Sequence, residues 1–162
     1  NTHIYFFVGL ILQAIFLTNL TYQYLRGNLR GCRLKYIAII FALSVGLSFI
    51  NPNGLKGVIY PLNVQSNYGY TIVENQTIFL LESINFTDRN FLFVKIIFAI
   101  IALSLFVGYK RKTLNLLNLL LIGFGSSLAL LNVRGFPYLI FICLPPVLEN
   151  LGQFKSKIFP AP

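Results

Sequence analysis

The sequence has little charge, and very little of it is negative. Only 10% of the 162 residues are charged, with four Asp or Glu against 13 Lys or Arg, whereas 56% are hydrophobic. A soluble domain carries roughly 25% charged residues to cover its surface. A chain of 18.3 kDa with a mean hydropathy of +0.73 cannot be covered in that way, and it is too apolar to be disordered. The composition therefore excludes a small soluble enzyme and indicates a chain embedded in lipid.

Several residue types that carry chemistry are scarce or absent. The chain has one histidine, His3, and two cysteines, Cys32 and Cys143, which provide neither a metal motif nor a disulfide framework. A Gly-rich phosphate loop and a Ser-His-Asp set are also lacking, so we expect no metal and no cofactor. The sequence contains no Met and begins at Asn1, which leads us to expect a fragment of a longer protein.

Five apolar runs are present and are predicted to span the membrane, although the second is short for the roughly 20 residues that a spanning helix requires. The sequence predicts an all-α, multi-pass transmembrane bundle that forms a single domain over residues 1–162. The predicted spans cover residues 4–22, 36–50, 91–109, 114–131 and 136–151, with a long loop at 51–90. Pro145 and Pro146 are expected to break or kink the last span, because proline removes a helical hydrogen bond.

The net charge of +9 raises the possibility of nucleic-acid binding, but the distribution of the charge favours membrane orientation instead. If all five segments span, nine basic residues fall on one side: Arg26, Arg30, Arg33, Lys35, Lys110, Arg111, Lys112, Lys155 and Lys157. Basic residues are enriched on the cytoplasmic side. We therefore expect membrane lipids and no nucleic acid as partners, with the N-terminus and the 51–90 loop outside.

Small and polar residues within the predicted helices suggest how the helices pack. Pairs of small residues four apart allow helices to approach closely in lipid; they are Ala42 with Gly46, Ser104 with Gly108, and Gly123 with Ser127. Asn115 and Asn118 either bond across to another helix or are polar residues at the inner surface, and their position in the first turn favours the second interpretation. Lys95 is interpreted as an anchor that extends to the membrane surface.

The 51–90 loop is longer than a connection requires, and it contains three of the four acidic residues of the chain. Its aromatic and branched residues predict a short helix at the membrane surface within 55–82. Glu74 and Glu82 are candidate acid–base residues, because an apolar environment disfavours the charged carboxylate. Ordinary solvation of the carboxylates, or a bond to a nearby backbone amide, is the alternative. Asp88 is a poorer candidate, because Arg89 follows it.

Arg134 lies in the turn between the fourth and fifth apolar runs. Pro137 suits the first turn of a new helix, whose free amides attract an anion. Arg134 would add a full positive charge at headgroup depth. The turn is therefore either an anion site or a lipid-headgroup anchor.

A family resemblance lies in these same segments. Asn51-Pro52-Asn53-Gly54 followed by Tyr60-Pro61, then Glu74-Asn75-Gln76, then Arg134-Gly135-Phe136-Pro137, resembles a motif order in bacterial multi-pass proteins similar to GT-C class glycosyltransferases. The resemblance covers roughly residues 36–146. It implies sugar transfer from a polyprenyl-phosphate donor at the outer face of the bacterial inner membrane. It also implies that Arg134 binds the donor phosphate and that Tyr60, Asn75 and Gln76 line the substrate site.

The sequence departs from that family in two respects. Nothing matches the acidic motif of the family's first outer loop, so the catalytic base is expected outside this chain. The family's turn between the fourth and fifth helices often reads Arg-Asn-x-Pro, whereas Gly135 follows Arg134 here. The alternative is a non-enzymatic membrane subunit or a piece of a transporter. Transport is the less favoured of these two, because Gln13 is the only polar residue near a midplane.

Overall fold

The computed structural model describes residues 6–28, 31–50, 54–63, 73–84 and 88–152. All regular structure in these ranges is helical, which confirms the all-α class. The seven α-helices are α1 Phe6–Leu25, α2 Gly31–Ser48, α3 Gly54–Asn63, α4 Ile78–Ser83, α5 Arg89–Arg111, α6 Leu116–Leu131 and α7 Phe136–Asn150. Two short 3₁₀ helices cover Val73–Asn75 and Val133–Gly135.

Each of the five apolar runs forms a helix, namely α1, α2, α5, α6 and α7. Within the described ranges, α1 and α5 are the two helices that are long and apolar enough to cross a membrane. The 16 residues of α6 would extend only about 24 Å at 1.5 Å per residue, against a hydrocarbon core of about 30 Å. The bundle of about five spans therefore remains a prediction.

Side-chain caps set several helix ends. Asp88 begins α5 by accepting a hydrogen bond from the Asn90 amide at 2.9 Å, and Asn115 begins α6 by accepting from the Asn118 amide at 2.7 Å. Lys112 ends α5 in the left-handed conformation, with φ of 55°. Such caps satisfy amide and carbonyl groups that have no partner within the helix.

Of the break or kink predicted at Pro145 and Pro146, the break is wrong, because α7 continues through both residues to Asn150. The Pro146 side chain is buried, and Val147 beside it belongs to the hydrophobic core. This tertiary packing offsets the hydrogen bonds that the two prolines remove.

The described helices group into two compact units. The N-terminal unit contains α1, α2 and α3, and within it α1 packs against α2. The buried residues of α1 are Val8, Ile15, Asn19 and Leu20. In contrast, no side chain described in α2 is buried, and its large apolar residues Leu43 and Leu47 are more than 60% exposed.

The C-terminal unit contains α4 to α7 and both 3₁₀ helices, and α7 packs against both α5 and α6. Phe91 at the start of α5 and Phe136 at the start of α7 meet edge to face, with ring centroids 6.3 Å apart. Because the two helices also meet at their C-terminal ends, through Arg111 and Leu151, they run in the same direction, and α6 runs opposite to them. The short helix α4 contributes Ile78 and Leu81 to the core of this unit.

The three small-residue pairs that were predicted to allow close helix packing differ in their burial. Ser104 and Gly108 are both buried, as expected, and a Cβ at Gly108 would lie 3.0 Å from Cγ of Asn150 in α7. The other two pairs are exposed, and a Cβ at Gly123 would have no described atom within 4 Å. The close approach of α6 to α7 is at Gly125 instead, where a Cβ would lie 2.7 Å from Sγ of Cys143.

Candidate functional site

Two candidate segments that are far apart in the sequence meet in the C-terminal unit. The backbone N–H of Val133 donates to the carbonyl oxygen of Gln76 at 3.1 Å. This bond joins residues 73–76 to residues 132–135, and we call the pair of segments the 3₁₀ junction. Asn75 and Gln76 thereby lie beside the turn that contains Arg134.

The position of Arg134 depends on its two neighbours in the sequence. Val133 packs against the hydrophobic core, and Gly135 is buried so closely against the carbonyl oxygen of Leu128 that a Cβ would overlap it. Arg134 between them is exposed. The turn is therefore held at both sides of the arginine, and its guanidinium group is at the surface of the unit.

The start of α7 offers fewer free amides than the sequence suggests. The Gly135 amide donates to the Asn132 carbonyl at 3.0 Å, and the Phe136 amide donates to the Val133 carbonyl. Pro137 has no N–H to offer. The 3₁₀ helix runs directly into α7 and satisfies these groups, so an anion here would depend mainly on the charge of Arg134.

Asn132 is a polar residue of the junction that the sequence did not single out. Its Oδ1 atom is buried and has no hydrogen-bond partner among the described residues. A buried acceptor without a donor costs about 1–3 kcal/mol. In the sequence, only its position two residues before Arg134 could have identified Asn132 as a residue of this site.

Glu82, one of the two candidate acid–base residues, is bound to another side chain. Its Oε1 atom lies 2.6 Å from Nζ of Lys95, with the Glu82 side chain 37% and the Lys95 side chain 54% exposed. The bond connects α4 to the second turn of α5. Lys95 thus pairs with the loop carboxylate, in addition to any role as a surface anchor.

The structure describes the remaining candidate residues only in part. The Asn75 and Gln76 side chains are half-buried beside the junction. The side chains of Glu74 and Tyr60 lie outside the described part of the structure, although their backbones belong to the first 3₁₀ helix and to α3. Asn51, Pro52 and Asn53 of the resembling motif are also outside it.

A second polar cluster joins the other ends of the same helices. The Asn118 side-chain amide donates to Glu149 at 3.1 Å and to Asn150 at 3.3 Å, and the Asn115 amide donates to Glu149 at 3.4 Å. Asn118 therefore bonds across to α7, which is the interpretation that its sequence position had disfavoured. Asn150 is fully buried, and its Nδ2 atom has no partner among the described residues.

Comparison of the chain with protein-family models, with curated proteins and with solved structures finds no match. The resemblance to GT-C class enzymes therefore remains a prediction from short motifs. The geometry adds that two of those motifs, Asn75-Gln76 and Arg134-Gly135, lie next to each other.

Proposed function

We propose that the chain is part of an integral membrane protein. The support is the surface of the C-terminal unit, where large apolar residues are exposed while a few polar residues are buried beside its hydrophobic core. Ser104, Asn118 and Asn150 are buried. The exposed apolar residues of α5 and α7 include Leu92, Phe93, Ile96, Leu103, Phe106, Phe141 and Leu144. Water would make such a surface prone to association, whereas lipid solvates it.

Within that protein, we propose that the 3₁₀ junction binds the phosphate of a lipid-linked sugar donor. The single observation that carries this proposal is the hydrogen bond from Val133 to Gln76, which places Asn75 and Gln76 beside Arg134. Arginine can hold a phosphate through two parallel charged hydrogen bonds. The half-buried amides of Asn75 and Gln76 can donate and accept hydrogen bonds, as recognition of a sugar requires.

The proposed reaction is transfer of the sugar from a polyprenyl-phosphate carrier to an acceptor hydroxyl. The acceptor oxygen forms a bond to the anomeric carbon, and the bond from that carbon to the phosphate oxygen breaks. The acceptor proton goes to a carboxylate, and the polyprenyl phosphate leaves with the electron pair. Arg134 would stabilise the charge that develops on the leaving phosphate. Glu74 and Glu82 are the candidate proton acceptors of this chain, and Glu82 would have to exchange its contact with Lys95 for the acceptor hydroxyl.

The test is substitution of Arg134 in the full-length protein, reconstituted in lipid. We expect Arg134→Lys to weaken binding of the polyprenyl-phosphate sugar, and Arg134→Ala to weaken it about ten- to a hundredfold, since a lost charged hydrogen bond costs about 1.5–3 kcal/mol. Arg89→Ala is the matched control, because Arg89 is also an exposed arginine at a helix start in this unit. Wild-type donor binding by Arg134→Ala would refute the phosphate site.

A non-enzymatic membrane subunit is the second candidate function. The observation that favours it is the pairing of Glu82 with Lys95, which gives this carboxylate a structural explanation. Turnover assays of Glu74→Gln and Glu82→Gln in the full-length protein separate the two functions. If both variants retain wild-type turnover, neither Glu74 nor Glu82 is the base, and a supporting role for this chain is favoured.

A further inference from the structure

The C-terminal end of α5 carries three consecutive basic residues, Lys110, Arg111 and Lys112, and all three are exposed. The structure assigns them different roles. Arg111 donates through Nη1 to the carbonyl oxygen of Leu151 at 2.8 Å, so its guanidinium joins α5 to the end of α7. The Nζ atom of Lys110 instead lies over the Phe106 ring, 5.7 Å from its centroid, and Lys112 is the left-handed cap of the helix.

Lys110 ends a stripe of exposed residues that follows one face of α5. The stripe consists of Leu92, Ile96, Ala99, Leu103, Phe106 and Lys110, at spacings of three or four residues. These spacings place the residues on one side of a helix. From Leu92 to Lys110 the stripe is about 27 Å long at 1.5 Å per residue, close to the thickness of a hydrocarbon core. Its first five residues are apolar, and its last residue, Lys110, carries an ammonium group.

The charge at this end of the unit favours an anionic ligand. Glu149 is the acidic residue described near the end of α7, and its carboxylate accepts hydrogen bonds from Asn115 and Asn118. The three basic residues at the end of α5 and the single carboxylate of Glu149 give this end of the unit a net charge of +2. Arg111 bonds to Leu151, whereas Lys110 lies on the exposed face of α5 and Lys112 is the exposed cap residue that follows it, so two further ammonium groups lie at this end of the helix.

We propose that this face of α5 is a binding site for an anionic phospholipid. Lys110 and Lys112 contact the headgroup phosphate, and an acyl chain lies along Phe106, Leu103 and Ala99. Juxtamembrane lysines attract anionic lipids, each by about a fivefold gain in binding. The proposal rests on the proposed membrane insertion, but it concerns the opposite end of α5 from the 3₁₀ junction and is independent of Arg134.

The test uses the full-length protein in phosphatidylcholine nanodiscs that contain increasing amounts of phosphatidylglycerol, with retained lipid counted by native mass spectrometry. We expect Lys110→Gln/Lys112→Gln to weaken retention of phosphatidylglycerol about 25-fold, from about fivefold per lysine. Lys56→Gln/Arg89→Gln is the control, because it removes two exposed positive charges elsewhere and leaves the same net charge. An equal loss in both variants would show unspecific attraction and would overturn the site.

A second measurement requires no variant. In the wild-type protein, phosphatidylglycerol should protect Lys110 and Lys112 from an amine-reactive reagent and leave Lys56 as reactive as in phosphatidylcholine alone. Equal modification of the three lysines in both lipids would overturn the proposal. Extraction with alkaline carbonate separates the two possible failures. Protein released by carbonate would refute membrane insertion and this site together, whereas inserted protein without a phosphatidylglycerol preference would refute this site alone.

Discussion

The Asn118 side-chain amide donates to the Glu149 carboxylate at 3.1 Å and joins the first turn of α6 to the last turn of α7. Asn118 is 2% exposed and also donates to Asn150, which is fully buried. A carboxylate at a helix interface is stabilised when amides donate to it. This contact therefore fixes the end of the C-terminal unit at which α5 and α7 also meet through Arg111.

Replacing Asn118 with leucine should destabilise the C-terminal unit by about 1.5–3 kcal/mol, because Glu149 loses a charged hydrogen bond and Asn150 loses its donor. The measurement is the thermal unfolding midpoint of the purified protein in detergent. Ser127→Leu is the control, because Ser127 lies on the same helix but is exposed. Equal midpoints for the two variants would show that the Asn118 contacts contribute little.

Gly135→Ala should disrupt the 3₁₀ junction, because the new methyl group would overlap the Leu128 carbonyl. Overpacking a close contact costs about 1–3 kcal/mol, and backbone cannot move aside as a side chain can. Folded yield and the unfolding midpoint report the effect. Gly123→Ala makes the same chemical change where no described atom lies within 4 Å, so it should be neutral or slightly stabilising. A Gly135→Ala protein as stable as Gly123→Ala would contradict the described turn.

The ion pair between Glu82 and Lys95 should make only a small contribution to stability. Both side chains are more than a third exposed, so solvent screens their attraction. A double-mutant cycle of Glu82→Gln and Lys95→Gln should give a coupling of about 0.5 kcal/mol, within the range for exposed pairs. We expect the coupling to fall as salt concentration rises. A coupling of zero at low salt would show that the pair does not form in solution.

The two ends of α5 should be accessible from opposite sides of the membrane. The helix has 23 residues and would extend about 34 Å at 1.5 Å per residue, which exceeds the hydrocarbon core. A single cysteine at Ser83 should react with a membrane-impermeant maleimide from outside, and one at Thr113 only from inside. Both positions are exposed, and Cys32 and Cys143 would first be replaced by serine. Reaction of both positions from the same side would refute the span and the predicted orientation.

The positions of the helices could be predicted largely from sequence, because their determinants are local. Each apolar run became a helix, and the caps Asp88 and Asn115 lie within a few residues of the predicted starts. Where a helix begins at a different residue from the predicted span, the cause is also local. The helix α2 begins at Gly31, five residues before the predicted span, because Arg33 and Lys35 favour a helix although they are not apolar.

The pairing of side chains could not be predicted in the same way. Gly123 and Gly125 are equally small, yet only Gly125 contacts α7. Two residues correspond to a rotation of about 200° around a helix, so their different environments depend on how α6 is turned toward its neighbour. In the same way, Glu74 and Glu82 are similar loop carboxylates in the sequence, and the docking of α4 on α5 placed Glu82 against Lys95.

The sequence by itself determined that this chain is helical, very apolar and basic in short clusters between its apolar runs. These properties follow from composition and from contacts within a few turns. The tertiary structure alone decided that Gln76 meets Val133 and that Asn118 meets Glu149, because each bond joins residues more than 30 positions apart. Such contacts form only when packing fixes the rotation and register of whole helices, and these depend on the summed fit of many side chains rather than on any motif.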